Sequence, residues 1–186
     1  MKKILLISLT FFSLFSFSQE KFISRNGQIQ FLASTPLETI DPVNNHVSCI
    51  LDTENGNLVF QMKMISFKFE KALMEEHFNE KYVESDKFPK STFVGRVQNW
   101  DDFNWNENDV YIYTEQNIVV KGKITIHGIE KEIIVKGVIE TSKSTIFLSS
   151  SFDIIISDFD IEIPRLVRDK ISETVKVEVN VTLKQK

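Results

Sequence analysis

F-K-F-E-K-A-L-M-E-E-H-F-N-E-K-Y-V-E-S-D-K-F-P-K-S-T-F-V-G, residues 67–95, is the one stretch in which a strand pattern gives way to a helical one and then returns. Upstream of it, Leu58, Phe60, Met62 and Met64 alternate with Val59, Gln61, Lys63 and Ile65, the period of two of a strand with two different faces. Within it, Leu73, Met74, Phe78 and Tyr82 fall on one side of a helix spanning about residues 71–82, while Glu75, Glu76, Asn79 and Lys81 point away. Pro89 ends any helix at or before Phe88, because the residue ahead of a proline is pushed out of the helical region. Phe93 then opens another extended run. The expectation is a single amphipathic helix set between strands.

Working outward, most of the remaining chain alternates between turn signals and strands. Ile29, Phe31 and Ala33 share one face of an early strand. Asn55-Gly56-Asn57 separates Val47–Leu51 from Leu58–Ile65 as a hairpin turn would. Val110–Thr114 and Ile118–Ile126 read as a strand pair or as one strand with a bulge, and His127-Gly128 is a tight turn before Ile129–Ile139. Phe152, Ile154 and Ile156 alternate in the next run. The last strand is the clearest: Val175, Val177, Val179, Val181 and Leu183 against Thr174, Lys176, Glu178, Asn180 and Thr182. A short helical turn over about residues 164–171 starts near Pro164 and carries Leu166, Val167 and Ile171. Ser157-Asp158-Phe159-Asp160 bends the chain with Phe159 turned inward. Trp100, Phe103 and Trp105 mark a polar loop whose rings cover an edge or an end of the sheet. About eight strands with short turns and few helices make a mainly β protein, a barrel or a sandwich.

The first residues read as a targeting signal. Lys2 and Lys3 precede an apolar Ile4–Phe17 stretch, and Ser16 and Ser18 offer small residues for cleavage before Gln19. Residues 1–18 are thus expected to be removed and residues 19–186 to form one domain in the periplasm or outside the cell. No later stretch approaches the roughly 20 apolar residues of a membrane-spanning helix. Loss of Lys2 and Lys3 takes the formal charge from -4 to -6, which argues against nucleic acid as a partner. Cys49 is the only cysteine, so no intrachain disulfide can form and packing alone must hold the fold.

The run M-x-x-H-F-N-E-x-Y-x-E-S-x-K-F-P-x-S-x-F-x-G from Met74 to Gly95 resembles the signature of the YceI-like family. Further similarity falls at K-G-K-I-T-I-H-G-I-E-K (Lys121–Lys131), at S-D-F-D-I-E-I (Ser157–Ile163) and from Ile171 onward. The resemblance implies a single antiparallel lipocalin-like β-barrel, secreted or periplasmic, whose interior holds a long apolar molecule, typically an isoprenoid chain. On that implication the ligand contacts are Phe67, Phe69, Met74, His77, Phe78, Tyr82, Phe88, Phe93 and Phe159. From residues alone, a barrel of this size either fills its interior with side chains or encloses one ligand, and both stay open.

Chemistry-bearing motifs are sparse. His46, His77 and His127 lack metal-ligand spacing, and neither a metal nor a cofactor is implied. His77 with Asn79 suits an anchor of the helix start or the cavity mouth, and His127 a turn residue. Glu75, His77 and Glu80 could in principle serve acid-base work, though a solvated helix face explains them better. Cys49 has only His46 nearby, three residues along and so on the opposite strand face, and no G-x-S-x-G elbow exists. The leading expectation is a non-enzymatic carrier of an apolar small molecule, with a homodimer left open. Two rivals stand beside it: a lipid-acting enzyme using His77 or His127, and a ligand-free module docking through Trp100 and Trp105. N-terminal sequencing of the exported protein is expected to begin within about two residues of Gln19; a retained Met1 on exported protein overturns the signal assignment.

Overall fold

A computed structural model describes residues 21–102, 114–142 and 145–186. The expected signal segment, Phe103, Trp105 and the Val110–Tyr113 part of the expected strand lie outside these residues. Eight antiparallel strands follow one another in chain order around a closed barrel. They are β1 (Lys21–Leu32), β2 (Val43–Asp52), β3 (Asn57–Lys63), β4 (Lys90–Val97), β5 (Thr114–Ile126), β6 (Ile129–Ser142), β7 (Thr145–Ile155) and β8 (Thr174–Gln185). The ring closes where β1 pairs with β8, from Phe22 opposite Gln185 to Leu32 opposite Lys176. Thr114–Ile126 is one uninterrupted strand, so no turn separates Thr114 from Ile118.

The period-two patterns sort the side chains as expected. Val175, Val177, Val179, Val181 and Leu183 are buried along β8, as are Leu58 and Phe60 on β3. The Asn55-Gly56 hairpin brings Leu51 opposite Leu58 and Val47 opposite Met62. His127 and Gly128 both take positive φ, 50° and 76°, and so close a two-residue turn that sets Ile126 against Ile129.

The two ends of the barrel differ. One end carries the β2–β3 turn, the start of β1 and the end of β8. There Val47, Cys49, Leu51, Val97, Ile139, Ile146, Val181 and Leu183 are almost wholly buried and pack into a solid floor. Trp100 belongs to it: its ring lies against Gly56, and its indole N–H donates to the Thr53 carbonyl at 2.8 Å. The expectation that Trp100 serves an exposed docking surface is corrected, since the ring is only 4% exposed. An indole packed under a hairpin turn with its polar atom satisfied has nothing left to offer a partner.

The other end carries the long connections. The segment between β3 and β4 forms a short α-helix, α1 (Ala72–His77), that widens into a π turn over Phe78–Tyr82, with Val83 N–H donating to the Phe78 carbonyl. The helix expected over 71–82 is thus present, with one correction to its face. Met74, Phe78 and Tyr82 turn inward, whereas Leu73 is 60% exposed. A step of one residue rotates a helix by about 100°, which carries Leu73 off the stripe that spacings of four define. The turn expected near Pro164 is a 3-10 helix, Arg165–Lys170, with Pro164 just ahead of it; Val167 and Ile171 face inward and Leu166 stands in solvent.

Gly56 has φ +73°, and a Cβ there would sit 2.6 Å from the Trp100 ring. Gly56→Ala is expected to lower stability by more than about 1 kcal/mol, through backbone strain and displacement of the indole together. Urea unfolding followed by tryptophan fluorescence checks it. An unchanged midpoint overturns the packing of the floor described here.

Candidate functional site: a hollow beneath an aromatic lid

Above the floor the barrel is hollow. A cavity of about 340 Å³ runs from Leu58, Ile118 and Leu148 up to the long connections. This volume lies within the roughly 300–1,000 Å³ of small-molecule sites. Its wall is almost entirely aliphatic and aromatic, because the inward positions of β3, β5, β6, β7 and β8 carry Ile, Val, Leu, Met and Phe at a period of two. On β4 and β5 the inward positions Gly95 and Gly122 face one another, and the Phe93 ring folds over both, within 2.6 Å of where a Cβ on either would be. Polar wall groups gather mainly at the mouth: Glu38, His77 and Lys170.

The lid is a set of four rings. Phe78 contacts Phe69 at 5.0 Å, Phe31 at 5.5 Å and Phe67 at 5.6 Å between ring centroids, and Phe31 touches Phe67 at 5.2 Å. Tilted and edge-to-face pairs at such separations are favourable beyond the area they bury. One helical ring thereby seals onto three rings from β1 and the chain after β3.

Around the rings the lid is tied down by polar contacts. Val43 and Lys68 exchange two backbone hydrogen bonds at 2.9 and 3.1 Å. Lys71 meets Glu38 at 2.7 Å, joining the start of α1 to the β1–β2 loop. Glu75 accepts from Lys68 at 2.6 Å and from the Phe69 backbone N–H at 3.3 Å. His127 is the fourth tie. One ring nitrogen lies 2.9 Å from the Phe159 carbonyl and the other 3.1 Å from Glu84, which also pairs with Lys87. The β5–β6 turn, the end of the lid segment and the connection after β7 are thus held by one imidazole.

Of the residues expected at the site, Phe67, Phe69, Met74, His77, Phe78, Tyr82, Phe93 and Phe159 all line the cavity. Phe88 does not, and that expectation is corrected: its ring packs edge-on against His127 at 4.5 Å and fills the space over Gly128, outside the barrel. Pro89 sets the chain direction into β4, and the ring before it falls on the turn rather than under the lid. The anchoring role expected of His77 with Asn79 is also redistributed. Asn79 sits in the π turn and donates to the Glu75 carbonyl at 2.9 Å, while His77 lies on the cavity wall with no hydrogen bond among the described residues. Glu75 is engaged by Lys68 and Phe69, so the Glu75, His77 and Glu80 group does not converge on a common point. Sequence reasoning missed Phe31 as a lid ring, although its place between Ile29 and Ala33 on one strand face was a usable signal. Glu38 and Lys170 at the rim carried none, since a charge in a connection looks solvated until the fold turns it toward a mouth.

The carboxylates of these ties are held below the ordinary value of 4.5: Glu38 by the Lys71 hydrogen bond, Glu75 by that of Lys68, and Glu84 by those of Lys87 and His127. A carboxylate lowered on folding adds stability that is fully present above 4.5 and lost as pH falls through the lowered folded value. The amide resonance of Phe69, which donates to Glu75, is expected to shift below pH 4.5 while the amides of β8 stay in place. Two-dimensional NMR across an acid titration reads this directly. A Phe69 amide insensitive to acid removes Glu75 as a lid tie.

Comparison with known proteins places this architecture. No curated protein matches the chain. Among solved structures, a polyisoprenoid binding domain from Saccharophagus degradans implicated in plant cell wall breakdown superposes with a TM-score of 0.76 at 14% identity, covering 90% of this chain and 99% of that one. BcnA of Burkholderia cenocepacia superposes with a TM-score of 0.67 at 13% identity, covering 84% and 95%. The YceI protein of Campylobacter jejuni gives 0.56 at 18% identity, covering 77% and 83%. These likenesses are of fold. The YceI-like domain family matches residues 20–183, nearly the whole chain, and the protein with this hollow barrel and aromatic lid belongs to the YceI-like family.

Proposed function

We propose that the protein is an exported carrier or storage protein that holds an apolar lipid, of the isoprenoid class, in the hollow half of its barrel. The observation that carries this reading is the cavity itself: an aliphatic and aromatic wall beneath four mutually packed rings, with charged groups only at the rim. The mechanism is burial. An apolar tail entering the barrel leaves water at roughly 25 cal/mol per Å² of apolar surface, while a polar head stays at the rim near Glu38, His77 and Lys170. The description of the Saccharophagus relative as a polyisoprenoid binding domain supports the class of ligand. Export rests on the Lys2-Lys3 start and the Ser16-x-Ser18 site.

The enzyme reading draws little from the geometry. Both ring nitrogens of His127 are engaged, and His77 faces an apolar wall without a carboxylate partner. Mass spectrometry of an organic extract of the purified protein is expected to show a co-purifying lipid. Protein that is lipid-free from every host, and that takes up no isoprenoid alcohol, overturns the carrier.

Phe78 tests where the ligand sits. Replacing a core-filling Phe by Ala costs roughly 3–5 kcal/mol, because a packed interior relaxes only partly around the hole. Phe78→Ala is expected to weaken lipid retention and to cost the lipid-free protein clearly less than that, since the half-buried ring opens on a cavity. Melting curves of lipid-free and lipid-loaded protein, wild type against variant, separate the two effects. A full core penalty with unchanged lipid binding makes Phe78 packing alone and moves the site from beneath α1.

A further inference from the structure

The barrel has an unzipped seam. β6 is 14 residues long and β7 is 11, yet their register runs only from Gly137 opposite Ser150 to Ser142 opposite Thr145. Toward the lid, β6 continues over Ile129–Lys136 paired with β5, and β7 continues over Ser151–Ile155 paired with β8. Among the described residues these two stretches form no ladder with each other. Elsewhere around the ring the pairing follows the shorter strand nearly to its end, as between β3 and β4.

The branch point is built. A Cβ on Gly137 would lie 2.7 Å from the Ser149 carbonyl, so the two backbones approach closely there. Immediately above, the Ser150 hydroxyl donates to the Lys136 carbonyl at 2.7 Å, and a side chain takes up the first acceptor beyond the ladder. Past that latch the inward residues flanking the seam, Ile133 and Val135 on β6 with Phe152 and Ile154 on β7, line the cavity but are only half-buried. Their neighbours one strand further back, Ile124 on β5 and Val175 and Val177 on β8, are buried. The cavity wall is therefore less buried along this seam than one strand further back.

We propose that the β6–β7 seam is the door through which an apolar chain enters and leaves the cavity, with the aromatic lid remaining shut; this rests on the carrier reading. The comparison of routes is one of bonds broken. Passage under the lid must break the Val43–Lys68 backbone pair, the Glu38–Lys71 and Glu75–Lys68 contacts, and the four-ring cluster. Passage through the seam breaks no ladder, because strand edges there are already unpaired and exchange water for water. A linear chain, with or without methyl branches, fits a slot along two strands, whereas a fused ring system does not. Selection for linear ligands thus arises at the door as well as in the cavity.

Closing the seam tests the door. Extending the register places Ile134 opposite Asp153, both pointing outward, so Ile134→Cys with Asp153→Cys allows a disulfide across it or, if the thiols stay apart, a short bis-maleimide bridge. Val138→Cys with Ser149→Cys, a pair already in register below the branch point, is the control. The buried Cys49 thiol takes no part. Retinol, a fluorescent isoprenoid alcohol whose chain ends in one small unfused ring, is the probe, with uptake and release followed by stopped flow and the amount bound at equilibrium by titration. The seam-locked protein is expected to exchange retinol about tenfold or more slowly with unchanged capacity, as a blocked gate requires, and reduction of the disulfide restores the rate. The control bridge leaves the rate as in wild type. Wild-type exchange from the locked protein overturns the door, as does equal slowing by the control. Absence of retinol binding to wild type overturns the carrier reading and the door with it.

Discussion

A barrel with a hollow upper half must draw its rigidity from somewhere else, and here it comes from the packed floor. Val47, Cys49, Leu51, Ile139, Ile146, Val181 and Leu183 come from four strands and are almost wholly buried, with Trp100 closing the layer from below. Close-packed interiors respond to the loss of even one methylene, and that sensitivity is what fixes register. The cavity above can then be apolar without collapsing. Its wall residues belong to strands whose spacing is already set lower down.

Two kinds of polar contact differ in burial. Asn44, near the lid end of β2, is fully enclosed and links the Lys63 carbonyl to the His46 N–H across β2 and β3. In the upper half, the ion pairs between Lys68 and Glu75 and between Lys71 and Glu38 are largely exposed and contribute little to global stability. They set the position of a lid instead. Weak, local ties suit a cover that fits over contents of varying length.

Much of this was legible in the chain, and the exceptions have physical causes. Period two in Val175–Leu183 and Leu58–Met64 marks both the strands and their inward faces, and the 74/78/82 spacing marks the ring that seals the mouth. Leu73 and Phe88 were misplaced because a hydrophobic residue one position off a helical stripe, or next to a proline, looks the same in sequence as one on target. Phe31 was legible as a strand residue but not as a lid ring, since its partners lie about 36 to 47 residues away and are brought beside it through β2 and the Val43–Lys68 bridge. The β6–β7 split had no signature at all: Gly137 and Ser150 are ordinary strand punctuation until their opposition is known.

The pairing of β1 with β8 has a kinetic consequence. The first and last strands of the chain hydrogen-bond to each other, so the ring cannot close until residues 174–185 have been synthesised. Contacts of such long sequence separation form late, after the loop-closure entropy of nearly the entire chain has been overcome. Until then β1 and β7 each present an open edge, and the nascent polypeptide has no stable barrel to hold it folded. The ring stays open until β8 has been made.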